Sequence, residues 1–186
     1  MPAAIKEFRR RRLPGTYDRP VILRCTDKLL AVVGSPLADP APATGAEDWY
    51  ANLLWFDRRK CLLLTHSGTL FTIFEANVTA SGLRATCQLI TGLIARELRR
   101  EDLPPATFGD LEQQEVLLAK TADRSVLGCM NDMAFLCEHA IGRSGGLART
   151  DLAALNQSLR RNINSARSYR PPIELAAAKA ARSGPG

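Results

Sequence analysis

Between Trp49 and Glu75 the chain carries three β-type runs almost without interruption: Trp49 to Phe56, Lys60 to His66 and Thr69 to Glu75. Asp57-Arg58-Arg59 and Ser67-Gly68 separate them, short polar connectors that fold one strand back on the next. Side chains alternate across a strand, so Trp49, Leu53 and Trp55 share one face while Tyr50, Leu54 and Phe56 share the other. Neither face suits water. A sheet with this pattern is covered on both sides or pairs with another copy of the chain, and one side can serve as an interface.

The flanking segments supply the cover. Val21-Ile22-Leu23-Arg24-Cys25 reads as a short strand, and Thr26 is placed to cap a brief helix through Val33 that stops at Gly34 and Pro36. From Thr79 the period becomes helical, with Leu83, Cys87, Ile90, Ile94 and Leu98 on one stripe and Arg96, Arg99 and Arg100 gathered at the C-terminal end, where the helix dipole favours cations. Val116 to Lys120 is a further strand. It leads into a helix from about Asp123 to Gly145-Gly146, then one capped at Thr150-Asp151 that carries Leu152, Leu155, Leu159 and Ile163, and a last short helix after Pro171-Pro172. The order is that of an α+β fold: an antiparallel meander sheet of four to five strands packed with three to four helices. Residues 1–19 read as a flexible basic arm, 20–176 as a single domain and 177–186 as a C-terminal tail.

Charge sharpens that division. The net charge of +6 belongs to the two ends, where Arg9 to Arg12 dominate the first and Lys179 and Arg182 the second. The body from 20 to 176 holds as many acidic as basic side chains. Nucleic-acid or anionic-membrane binding by bulk charge is therefore expected of the arm rather than of the domain. No apolar stretch approaches the roughly 20 residues of a membrane span, and no apolar run follows the N-terminal cations as in a secretory signal. Five cysteines in an odd, unclustered set read as buried hydrophobes in a reducing compartment, and a cytoplasmic location is expected. With His66 and His139 as the sole histidines, neither at ligand spacing, no metal site and no cofactor are expected. Phosphate-cradling, dinucleotide and zinc-protease motifs are absent from the sequence.

Three places carry candidate chemistry. Arg58, Arg59 and Lys60 follow Asp57 on a tight hairpin and can donate to phosphate oxygens; the plainer reading is a solvated turn shaped by Asp57. Along the helix after Asp123, Val126, Met130, Met133, Cys137 and Ile141 fall in one arc, with Arg124, Ser125, Gly128, Asn131, Asp132, Phe135 and His139 opposite. Gly128 in a bare helix face costs about 1 kcal/mol relative to alanine, and Phe135 would lie in water, so a covering element is expected there. Either another helix crosses at Gly128, or Arg124, Ser125, Asn131 and Asp132 form a binding surface. Asn52, set among aromatic and leucine residues, needs a hydrogen-bond partner, structural or in a site.

The runs VILRCTDKLL at 21–30, WYANLLWFDRRKCLLLTHSGTLFTIF at 49–74 and AKTADRSVLGCMNDMAF at 119–135, with Tyr169, Pro171, Ile173 and Glu174, resemble a prokaryotic domain family of unknown function over about residues 21 to 176. The shared motifs are W-x-A-N-L-L-x-x-D-R-R-K-C and R-S-V-L-G-x-M-N-D. The resemblance implies a small cytoplasmic protein and transfers no activity, cofactor or catalytic residue. The functional expectation is a non-enzymatic binding module for protein or nucleic acid, whose surface joins the Asp57–Lys60 hairpin to the Arg124–Asp132 helix face. The alternative is an enzyme on a phosphate-containing substrate, such as a ribonuclease-like toxin, with His66 or His139 as acid/base.

Overall fold

The computed structural model describes residues 20–111, 114–163 and 168–183, so the expected arm at 1–19 lies outside the described residues. Five strands form one sheet: β1 Val21–Cys25, β2 Trp49–Phe56, β3 Arg59–His66, β4 Thr72–Glu75 and β5 Val116–Lys120. Six α-helices accompany them among the described residues: α1 Asp27–Val33, α2 Ala80–Arg84, α3 Thr86–Arg100, α4 Arg124–Arg143, α5 Leu152–Arg161 and α6 Pro172–Ser183. Single 3-10 turns cover Pro105–Phe108 and Leu147–Arg149. The fold is α+β, as expected, but the sheet is mixed rather than an antiparallel meander throughout.

Strand order is β4-β3-β2-β1-β5. β2, β3 and β4 form the expected antiparallel meander, whereas β1 lies parallel to both β2 and β5. The reason lies in the connections. A hairpin reverses direction, but α1 with its proline-rich loop, and the helical stretch from α2 to Phe108, are long enough to carry the chain back to the end it came from. The helix expected from Thr79 is also two helices. Ala85 leaves helical geometry at ψ 46°, and the Thr86 hydroxyl turns back to the Leu83 carbonyl.

The two-sided pattern of the strands is satisfied within one chain. Leu23, Trp49, Ala51, Leu64, Phe71 and Ile73 pack against α1, α2 and α3 on one face. Tyr50, Cys61, Leu63 and Phe74 pack against α4 and α5 on the other. α6 continues past residue 176 into the stretch expected to be a tail, with Ala180 buried and Lys179 bonded to Glu47 at 2.6 Å. The α5 stripe stops earlier than its sequence pattern, leaving Ile163 exposed. Four cysteines are buried, and burial pushes the Cys25 and Cys137 thiols up to about 12; Cys87 is exposed.

Both sheet edges are occupied. At β4, the Asn156 side-chain amide donates to the Phe74 carbonyl at 2.9 Å while its oxygen accepts the Phe74 N–H at 2.7 Å, so an α5 side chain takes the place of a neighbouring strand. Arg160, fully buried, pairs with Glu97 at 3.1 Å and Glu101 at 2.7 Å and lies over the Phe71 ring. On the far edge, Ala38 N–H donates to the Leu118 carbonyl of β5 at 2.8 Å.

Candidate functional site

β2 is longer than the strand beside it. β1 pairs with Trp49, Tyr50 and Ala51 and then turns into α1, while β3 stays paired to β2 as far as Phe56. Residues 52–56 thus have a strand on one side only. Thr26 N–H donates to the Ala51 carbonyl at 3.0 Å, which marks the β1 side of β2. Backbone direction alternates, so the N–H and C=O of Leu53 and Trp55 point the same way. Leu53 is buried in the cluster that contains Leu29 of α1, and Trp55 is the position at which this edge opens.

Thr26 does not cap α1 with its side chain as expected; its hydroxyl donates to Asn52 Oδ1 at 2.9 Å. That bond is the partner Asn52 was predicted to need, and it leaves the Asn52 NH₂ donors without a bond among the described residues. Next to it lies a groove of about 430 Å³ whose walls include Lys28, Asn52, Trp55, Asn131, Phe135 and Glu138. Trp55 is 56% exposed and Phe135 68% exposed. Lys60, opposite Trp55 in the β2–β3 register, holds its ammonium 4.9 Å from the Trp55 ring centroid, a cation–π contact.

α4 supplies the second wall for reasons written in its sequence. Asp123 caps it, accepting from Ser125 N–H at 2.8 Å and Val126 N–H at 3.3 Å, and Val126, Met130, Met133, Cys137 and Ile141 bury one stripe. The rod is continuous, as the periodicity predicted. Its other side is bare, which removes the crossing helix, the first of the two alternatives, among the described residues: a Cβ at Gly128 would meet nothing within 4 Å, and Arg124, Ser125, Asn131, Asp132, Phe135 and His139 are exposed. The sequence argument that the face must be covered is overturned for the chain alone. Phe135 and Asn131 remain as walls of the groove.

The remaining predicted residues do not assemble with it. Asp57 and Arg58 form the hairpin turn with φ of 47° and 62°, the left-handed pair that matches strand twist. Asp57 Oδ2 accepts from Leu147 N–H at 2.6 Å, which ties the hairpin tip to the chain just past the C-terminal end of α4. At the other end of α4, Asp123 N–H donates to the Tyr50 hydroxyl at 3.2 Å. Twenty helical residues span about 30 Å, so Arg124 and Ser125 stand far from Arg58 and Arg59. Arg59 donates to Asn77 at 3.2 Å. The groove brings Asn52 and Asn131 together, Lys60 reaches it through Trp55, and the expected joint surface of hairpin and helix start does not form.

The two histidines lie on opposite sides of the sheet. His66 is sealed between Trp49 and Phe108 and only 1% exposed. Its Nδ1 accepts from Thr69 N–H at 3.2 Å, which leaves the proton of the neutral ring on Nε2, 3.6 Å from Glu47 Oε2. Burial lowers the His66 pKa, and the His66 and Lys179 contacts hold the Glu47 carboxyl at about 2. His139 is exposed on α4. Arg24 and Asp48, paired at 2.5 Å and buried, serve the fold: Arg24 also donates to the carbonyls of Pro42, Ala43 and Lys120 and so pins the loop before β2.

Sequence reasoning noticed Phe135 as an anomaly and placed Trp55 on a strand face, but it did not pair them. Lys28 and Glu138 were missed. The available signal was the length mismatch between the five-residue β1 and the eight-residue β2, which leaves an unpaired strand end in any parallel arrangement.

Among the described residues no helix is long and apolar enough to cross a membrane. The model of a sequence family described as a domain of unknown function (DUF6933) matches residues 22–175. No curated protein and no solved structure matches the chain.

Proposed function

The chain belongs to the DUF6933 family, and we propose that it is a non-enzymatic binding module that takes an extended segment of a partner protein into the groove between β2 and α4. The observation that carries this reading is that Trp55 and Phe135, both more than half exposed, line one groove along a strand end that has a neighbour on one side only. Backbone groups at such an edge accept an added strand, and specificity comes from pockets for alternate side chains. Covering the bare parts of two aromatic side chains removes on the order of 200 Å² of apolar surface from water, about 5 kcal/mol before association entropy is charged. Asn52 and Asn131 add carboxamides, which can pair with a peptide backbone in both directions. Lys28 and Glu138 set opposite charges on the rim, which suits a polypeptide of mixed charge better than a uniformly anionic strand.

The enzyme alternative has less support. Its two candidate bases are separated by the sheet, and His66 Nδ1 is committed to Thr69.

A photo-crosslinking amino acid at Asn131 in the native host, with mass-spectrometric mapping of the product, tests the reading. A single partner segment is expected, with the Trp55 amide protected from hydrogen exchange in the purified complex. The Trp55→Ala, Phe135→Ala double variant should lose the crosslink while its melting temperature moves by only about 3 °C. An identical crosslink in that variant sinks the reading.

A further inference from the structure

The Asp57–Leu147 bond does more than close a hairpin against a helix. It brings the turn that carries Arg58 and Arg59 against the α4–α5 connection, which is flanked by Arg143, the last residue of α4, and Arg149, whose Nη1 lies 3.3 Å from where a Cβ on Gly145 would stand. All four arginines are exposed, and none is ion-paired among the described residues. Elsewhere Arg24, Arg96, Arg100, Arg160, Arg161 and Arg170 each meet a carboxylate within 4 Å, while the other exposed arginines without an ion pair, Arg84, Arg99, Arg124 and Arg182, lie on separate elements. The carboxylates at this end are already engaged. Asp57 accepts the Leu147 N–H, and Asp151 accepts from Ala153 and Ala154 N–H as the cap of α5. The C-terminal dipole of α4 offsets part of the charge on Arg143, and the Asp57 and Asp151 carboxylates, which keep their charge while accepting N–H bonds, offset part of the rest, so that cations remain in excess at this end.

We infer that this end of the domain docks the phosphate backbone of a nucleic acid, independently of the groove. Guanidinium groups present planar forks that match phosphate oxygens, and an excess of them without ion pairs is stabilised by an anion that bridges them. The exposed large apolar side chains Leu37, Trp55, Phe135, Ile163 and Tyr169 do not include any residue of the turn or of the α4–α5 connection. A lipid surface, which needs apolar insertion beside the cations, fits this end less well.

The test is fluorescence anisotropy of labelled single-stranded RNA, single-stranded DNA and duplex DNA on the full-length chain between 50 and 200 mM salt, values chosen to give a steep electrostatic response. Two variants accompany the wild type: Arg58, Arg59, Arg143 and Arg149 all changed to Gln, and Arg9 to Arg12 all changed to Gln to remove the contribution of the N-terminal segment. Binding is expected to fall steeply with salt, and the first variant to weaken it roughly tenfold or more with a smaller slope. Circular dichroism melts of that variant establish that it is folded. Retained affinity in the first variant with loss in the second would overturn the proposal, as would an absence of binding. Equally tight binding of polyglutamate would assign the surface to acidic protein instead and overturn it too.

Discussion

Asp57 Oδ2 and the backbone N–H of Leu147, ninety positions apart in the sequence, are 2.6 Å from one another, and this single bond fixes the hairpin tip on the α4–α5 connection. Asp57 also sits at φ 47°, where glycine is at ease and most residues are not. Asp57→Gly therefore removes the bond while relieving the backbone, and should cost about 1 kcal/mol in urea unfolding. Asp57→Ala loses both and should cost about 1 kcal/mol more. Equal losses in the two variants would show that the lost bond, not the left-handed backbone, accounts for the whole cost.

Gly128 stands in the middle of α4 with open space where a side chain would be. Gly128→Ala should raise stability by about 1 kcal/mol, read as a higher denaturant midpoint with an unchanged slope. A destabilised variant would mean that something packs on this face in solution, a second copy of the chain included.

Acidification acts through His66. Its pKa is lowered by burial from the ordinary 6.5, with Glu47, Lys179 and Asp48 as the charged groups nearest it. Below pH 6.5 the unfolded chain takes up a proton that the folded chain refuses, so stability falls as pH falls from there. Glu47 adds a separate loss lower down. Its carboxyl, held at about 2 against an ordinary 4.5, favours the fold above 4.5 and gives up that contribution between the two values. Melting temperatures at pH 7, 6 and 5 should decline in the wild type and flatten in His66→Gln; parallel declines would remove His66 as the cause.

Arg160 is the hub of a buried ionic network with Glu97 and Glu101. Arg160→Met leaves two buried carboxylates short of a partner and should cost about 3–5 kcal/mol. Arg161 pairs with the same Glu101 from the exposed side, and Arg161→Ala should cost about 1 kcal/mol or less. Denaturant melts of the two variants separate the predictions, and a small loss in Arg160→Met would argue that water reaches the network.

Strand positions and the α4 rod were legible because alternation and the 3.6-residue period survive any tertiary arrangement. The direction of β1 was not. Val21 to Cys25 reads the same in parallel and antiparallel pairing, and only the destination of α1 decides between them. Asn52 announced itself as a polar residue in an apolar run, and Asn131 as a polar residue on a two-faced helix. Their meeting across one groove depends on where α4 crosses β2, which no local pattern records. The inference from Gly128 failed for a specific reason: a glycine without a neighbour looks, in sequence, the same as one that admits a neighbour.

The seal on β4 has a consequence for synthesis. Asn156 and Arg160 close that strand from a helix encoded some eighty positions downstream, so a ribosome releases the meander well before its cover exists. Until α5 emerges, the nascent chain shows neighbouring polypeptides a raw strand able to template on them, and chaperone dependence should concentrate in that interval of translation.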